Sequence, residues 1–154
     1  MLLDAFRLDG KTAIVTGAGT GIGASIAKSF AEMGANVFCV ARSLEDITQV
    51  AEACRHFGVK AEAIVCDVTK EDQLKALVEQ VAAQSERLDI LINNASAISL
   101  TTTEATEAKR FDLMFDVNVR GTFLTSQAAL PHLRKSGAEG RNPHILNLSP
   151  PLSM

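Results

Sequence analysis

Residues 16–23 read TGAGTGIG, with four glycines in eight positions, set between an apolar run and a segment of helical periodicity. Glycine frees the backbone for a tight turn and for close approach by a ligand. The first N–H groups of the following helix have no internal partner and lie at the positive end of its dipole, an arrangement that suits a pyrophosphate. A flexible turn could use the same glycines. The position between a strand and a helix favours the binding reading.

The rest of the chain repeats that alternation. Residues 11–16 (KTAIVT), 36–41 (NVFCVA), 61–66 (AEAIVC), 88–93 (LDILIN) and 144–149 (HILNLS) read as strands. Between them, Ile22, Ile26, Ala27 and Phe30 share one helical face. Leu44, Ile47, Ala51 and Cys54 share another, with Gly58 as a stop. Thr69 and Asp72 have capping-box spacing ahead of Leu74, Leu77, Val78 and Val81. A long helix is expected from about Glu104 to Lys135, led in by the threonines at 101–103, with Pro131 set to kink or reset its last turns. Apolar strands alternating with helices predict an α/β fold, a doubly wound parallel sheet of about five strands covered on both faces, in a single domain over 1–154.

Composition excludes other classes. Fifteen basic against eighteen acidic side chains give a net charge of −3, without the basic footprint of nucleic-acid binding. No apolar run is long enough to span a bilayer, and no signal peptide opens the chain. Cys39, Cys54 and Cys66 are an odd number at no metal spacing, so no metal site is expected and the thiols suit an intracellular, by default cytoplasmic, protein. His56, His132 and His144 are scattered and form no ligand set with them.

Three further places carry binding chemistry. The second strand ends in Ala41-Arg42-Ser43, with no acid until Glu45. A carboxylate at that tip would bind a ribose 2′-hydroxyl, whereas Arg42 suits a 2′-phosphate, so NADP is favoured over NAD. A solvated Arg42 ahead of a Ser43 helix cap is the alternative. Asp67 and Val68 follow the third strand, where an acid can accept from an adenine amino group or act as a turn residue. Asn93-Asn94-Ala95 closes the fourth strand, where the amides can bond a ribose or tie strand ends together.

Taken in order, Thr16-Gly17-x-x-x-Gly21-Ile22-Gly23, Asp67-Val68, Asn93-Asn94-Ala95, Asn118 in DVNVRG, and HILNLS resemble the short-chain dehydrogenase/reductase family over nearly the whole chain. Ser96 departs from the glycine usual after NNA. Residues 93–122 and 144–152 look closer to its hydroxysteroid dehydrogenase-like branch. The resemblance implies a Rossmann fold, a nicotinamide cofactor and hydride transfer between nicotinamide and an alcohol or ketone. Gly17, Thr20, Gly21, Ile22 and Gly23 would line the pyrophosphate, with Arg42 at the ribose phosphate. Asp67 and Val68 would flank adenine, and Asn94 and Ala95 would lie by a ribose. Asn118 would support a water-linked proton path, and Ser149 is the nearest candidate for the serine that orients substrate. Ser149 could equally be a polar strand terminus, and Pro150-Pro151 after it could shift the register. By branch resemblance a peroxisomal or mitochondrial location is the alternative compartment.

The family's proton donor is a Tyr with a Lys four residues later, on the helix after the fifth strand. The chain contains no tyrosine and stops at Met154. It is therefore expected to carry the cofactor half of an oxidoreductase and to be inactive alone, lacking the last helix and strands of the family fold. Without them Phe111, Phe115, Val119 and Phe123 would form an uncovered apolar face on the 104–135 helix, a site for homo-oligomer formation or association with a full-length partner. A non-catalytic NADP-binding module, or a fragment, is the competing reading.

Overall fold

A computed structural model describes residues 2–149; Pro150 and Pro151, on which the register question turns, lie outside the described residues. Strand β1 (Thr12–Thr16) is buried along its whole length and leads through the glycine turn into helix α1 (Gly21–Glu32). Strand β2 (Asn36–Ala41) follows, then α2 (Leu44–Arg55). Ser43 caps α2 by accepting from the Asp46 N–H at 3.4 Å. Glu45 and Asp46 in its first turn and Arg55 in its last match the helix dipole. Gly58, in the left-handed region at φ +81°, ends the excursion. Strand β3 (Ala61–Val65), helix α3 (Glu71–Ser85) and strand β4 (Ile90–Asn93) come next. A composite helix then comprises α4 (Ala108–Phe115), a π turn (Asp116–Gly121) and α5 (Thr122–Ala138), and β5 (His144–Asn147) follows.

The five strands pair in parallel in the order β3-β2-β1-β4-β5. Alternation along each strand divides the core in two. Ala13, Val15, Val37, Cys39, Ile90 and Ile92 pack against α1 and α2. Ile14, Phe38, Val40 and Leu91 pack against Leu74, Leu77, Val78 and Val81 of α3 and Ala129 and Leu133 of α5. The doubly wound α/β expectation holds. From β1 the chain winds outward to β3, then crosses to place β4 on the other side of β1. That reversal leaves a crevice at the carboxyl ends of the strands.

Several local expectations are corrected. The long helix runs over 108–138 rather than 104–135, and it contains a π turn that periodicity alone does not signal. Pro131 falls inside it, as expected, and α5 continues to Ala138. The proline lies on the exposed side, where water can serve the carbonyl that loses its donor. The capping box does not form: α3 starts after Lys70, and the Thr69 hydroxyl donates instead to Asp67 Oδ1 at 2.8 Å. A carboxylate two residues away is the stronger acceptor. Ile22 does not join the buried face of α1 but is 66% exposed in its first turn. Burial on both faces holds for β1, β2 and β4, whereas all four residues of β5 are exposed at the sheet edge. Phe111, Phe115, Val119 and Phe123 are each more than half exposed, as expected of an uncovered face. The Phe111 and Phe115 rings stack on one another at 4.5 Å.

At the amino edge of the sheet a polar bracket appears that no local pattern announces. Asp89 is fully buried. Its Oδ1 accepts from Arg141 Nε at 2.7 Å and from the Ser136 hydroxyl at 2.8 Å. Its Oδ2 accepts from Arg141 Nη2 and from the Thr12 N–H, both at 2.9 Å. Arg141 also donates to the Gly10 carbonyl at 2.6 Å, and Lys11 Nζ donates to the Arg141 carbonyl. The Asp89 backbone at the same time bonds to both neighbours, its N–H to the Thr12 carbonyl and its carbonyl to the His144 N–H, each at 2.9 Å, just ahead of the start of β4 at Ile90.

Candidate functional site

The crevice is a cleft of about 330 Å³. Its floor is the glycine turn, where Gly17 takes φ +64° and Gly21 φ +55°, conformations that favour glycine. A Cβ on Gly17 would lie 2.9 Å from Ala95 Cα, and one on Gly23 would lie well inside 3.0 Å of both the Gly17 carbonyl oxygen and Asn94 Nδ2. At Gly17 and Gly23 the segment therefore packs against the end of β4 with no room for a side chain.

Thr16 and Asn94 hold that packing. The Thr16 hydroxyl accepts from the N–H groups of Asn94 (3.0 Å) and Ala95 (3.1 Å), and donates to the Ile92 carbonyl at 3.2 Å. Asn94 Nδ2 donates to the carbonyls of Thr16 (3.0 Å) and Gly17 (3.1 Å). Asn93 Nδ2 donates to Asn147 Oδ1 at 2.8 Å and to the Ser126 hydroxyl at 3.0 Å, tying β4 to β5 and α5. Of the two roles open to this pair, tying strand ends is what the hydrogen bonds display.

The walls bring together Gly17, Thr20, Arg42, Asp67, Val68 and Ala95 among the expected residues. Gly23 and Asn94 act from behind the turn, while Gly21 and the exposed Ile22 open α1 beside it. Asn118 lies behind the opposite wall: its Oδ1 accepts from the Ala97 N–H and its Nδ2 donates to the Ala97 carbonyl, each at 2.8 Å. These bonds give a mid-helix Asn a reason of its own to be there. Ser149 is exposed beyond the end of β5 and does not line the cleft.

Asp67 remains a charged acceptor at neutral pH. Partial burial pushes its carboxyl up. The N–H and hydroxyl of Thr69, with the charges of Arg42 and Lys70, outweigh that and leave it below the ordinary carboxylate value. Burial pushes the Cys66 thiol up to about 11, aided by the charges of Asp67 and Asp72, so it lines the wall as a neutral group. All three cysteines are unbridged and buried. Asp46 also lines the cleft, near Gly19, as do Ser43 and Thr69. Counting along the strand tip misses Asp46, because helix α2 folds it back toward the turn. Among the described residues no group of His, Cys, Asp or Glu could hold a metal, and no helix is long and apolar enough to cross a membrane.

A glycine cradle at a helix N-terminus, at the switch point of a parallel sheet, defines a dinucleotide-type site in a Rossmann-like domain. The model of the short chain dehydrogenase family matches residues 11–150. Hydroxysteroid dehydrogenase-like protein 2 of Homo sapiens is 45% identical over 161 aligned residues, covering 100% of this chain and 38% of that protein. A short chain dehydrogenase from Mycobacterium thermoresistibile superposes with a TM-score of 0.86 at 42% identity, over 96% of this chain and 54% of that one. The 3-ketoacyl-(acyl-carrier-protein) reductase from Brucella melitensis, solved in complex with NADH, gives 0.84 at 37% identity, over 92% and 57%. The chain belongs to the short-chain dehydrogenase/reductase family. It spans 38% of the length of the curated relative and about half that of the solved structures.

Proposed function

We propose that these residues form the cofactor-binding half of an NADP-dependent oxidoreductase that interconverts an alcohol and a ketone. The observation that carries the reading is the cradle: a glycine-rich turn, pinned by Thr16 and Asn94, opening onto the N-terminus of α1. Gly17, Thr20 and Gly21 would meet the pyrophosphate, Asp67 and Val68 the adenine, and Ala95 a ribose. The nicotinamide, when bound, supplies or accepts the hydride. A tyrosine proton donor must come from outside these residues, since the 154 hold none. A positioned acid contributes about 10²–10⁴-fold in rate, so the chain alone should turn over carbonyl substrates at most feebly. A non-catalytic NADP-binding module is the competing proposal, and turnover after mixing with a tyrosine-bearing partner would separate the two.

Arg42 and Ser43 at the tip of β2 support NADP, with Arg42 able to fork onto a 2′-phosphate. Asp46 in the same lining supports NAD as the second reading, because its carboxylate repels that phosphate. Titrations with NADPH and NADH decide. Arg42→Ala is expected to weaken NADPH about tenfold and leave NADH within about twofold. Tighter NADH binding by the wild-type chain would assign the site to NAD.

The apolar face on α4, the π turn and α5 is proposed as an association surface for a second copy or a longer partner. The 154-residue chain is expected to elute above monomer mass or to enhance the fluorescence of a hydrophobic dye. A monodisperse monomer that binds no dye would remove the proposal.

A further inference from the structure

We propose that the π turn Asp116–Gly121 is a two-sided clamp on the cleft, and that Arg120 is the positioning residue for the wall at 66–69. The ligand part of the proposal rests on the cofactor reading above. Six consecutive residues serve both walls. On one side Asn118 holds the Ala97 peptide by both of its polar atoms. On the other, Gly121 is buried against Val68: a Cβ there would lie 3.0 Å from Val68 Cγ2 and 3.1 Å from the Val68 carbonyl oxygen. Arg120 Nη1 then donates to the Thr69 carbonyl at 3.0 Å.

Asn118 and Arg120, two positions apart, point to opposite sides of the helix and so reach different walls. The start of the 66–69 wall is fixed to the sheet: the Cys66 N–H donates to the Ala41 carbonyl at 3.0 Å, and Cys66 and Val68 are buried in the core. Past Cys66 the polar bonds are local. The Asp67 N–H donates to Gln73 Oε1 at 2.8 Å, the Thr69 N–H to Asp67 Oδ1 at 2.9 Å, and the Lys70 N–H to the Asp67 carbonyl at 2.9 Å, all within the wall or to the helix it leads into. Arg120 supplies the hydrogen bond that ties the far end of this wall, at Thr69, to the π turn, beside the packing of Gly121 on Val68. A wall held in this way meets a planar base without having to order first, so binding costs less.

The test combines amide hydrogen exchange with titration, on the 154-residue chain and its Arg120→Gln and Arg120→Lys variants. Arg120→Gln is expected to speed exchange at the Asp67, Thr69 and Lys70 amides about fivefold and to leave Ala97 unchanged. It should weaken NADPH and 2′,5′-ADP alike, by about fivefold, with a melting temperature within about 2 °C of wild type. Arg120→Lys should recover most of both effects, because the ammonium can still donate to the Thr69 carbonyl. Unchanged exchange in Arg120→Gln overturns the clamp. Faster exchange with wild-type affinity overturns its role in binding. A wild-type chain that binds neither ligand overturns the cofactor reading instead, and exchange alone then decides the clamp.

Discussion

Asp89→Ala is expected to lower the unfolding free energy by about 3–5 kcal/mol, the usual result of stripping one partner from a buried ion pair. The carboxylate is fully buried and accepts four hydrogen bonds, two of them from one guanidinium. Its removal leaves the Thr12 N–H, the Ser136 hydroxyl and the Arg141 guanidinium facing a void. Arg141 retains 21% side-chain exposure and can turn part of its charge to water, which places the loss toward the lower end of the range. For a chain of this size 3 kcal/mol corresponds to a fall of roughly 6–12 °C in melting temperature. The deficit should also depend on pH. Burial pushes the Asp89 carboxyl up, but the bonds from Arg141, Ser136 and the Thr12 N–H outweigh it and hold the group below its ordinary value. A lowered carboxyl contributes stability that is fully present above its unfolded value, about 3.9, and is lost as pH falls through the folded one. Thermal melts should therefore show a constant gap between wild type and Asp89→Ala above about pH 5, closing in acid. Equal melting temperatures at pH 7 would show that the bracket is dispensable.

The second large effect is expected at Gly23. Alanine there forces its methyl group inside 3.0 Å of the Gly17 carbonyl oxygen and Asn94 Nδ2, two atoms bonded to each other at 3.1 Å. Something must shift, and what shifts is the cradle: the turn lifts away from the end of β4, or α1 swings outward. Overpacking of this kind costs about 1–3 kcal/mol of stability. The larger loss should fall on dinucleotide affinity, roughly 10–100-fold, because the N–H groups at the start of α1 leave their places. Gly58→Ala is the control. Gly58 has φ +81° and no atom within 4 Å of an added Cβ, so alanine there strains the backbone by about 1–2 kcal/mol and leaves binding unchanged. Equal affinity losses in the two variants would mean that the Gly23 effect is general destabilisation.

Much of this architecture was legible because it is local or periodic. The buried strands β1, β2 and β4 were visible as apolar runs, and β2 fell within the expected bounds. The glycine turn was legible because several constraints converge on eight residues. What escaped depends on partners distant in sequence. Asp89 and Arg141 are 52 positions apart, and nothing near either residue announces the other. Thr16 reads in sequence as the end of a strand, yet its hydroxyl serves a loop 78 positions later. Asp46 reached the cleft because α2 turns back over the glycine loop, a question of helix orientation rather than of residue spacing. The Thr69 cap failed for the opposite reason. Asp67 competes for that hydroxyl at a separation of two, and a charged acceptor wins over a helix N–H.

The bracket at the amino edge also sets a timetable for synthesis. The Gly10 carbonyl waits for a guanidinium 131 positions downstream, and Lys11 waits for a carbonyl 130 positions away. At translation rates of about 5–20 residues per second, roughly 7–26 s separate the emergence of the two sides. In the later part of that interval, once β2 has emerged, the central strand can pair with it and bind its first helices, while the Arg141 bonds at its leading end are still to form. The nascent chain thus passes through a stage in which the glycine turn is in place and the opposite rim of the sheet is open.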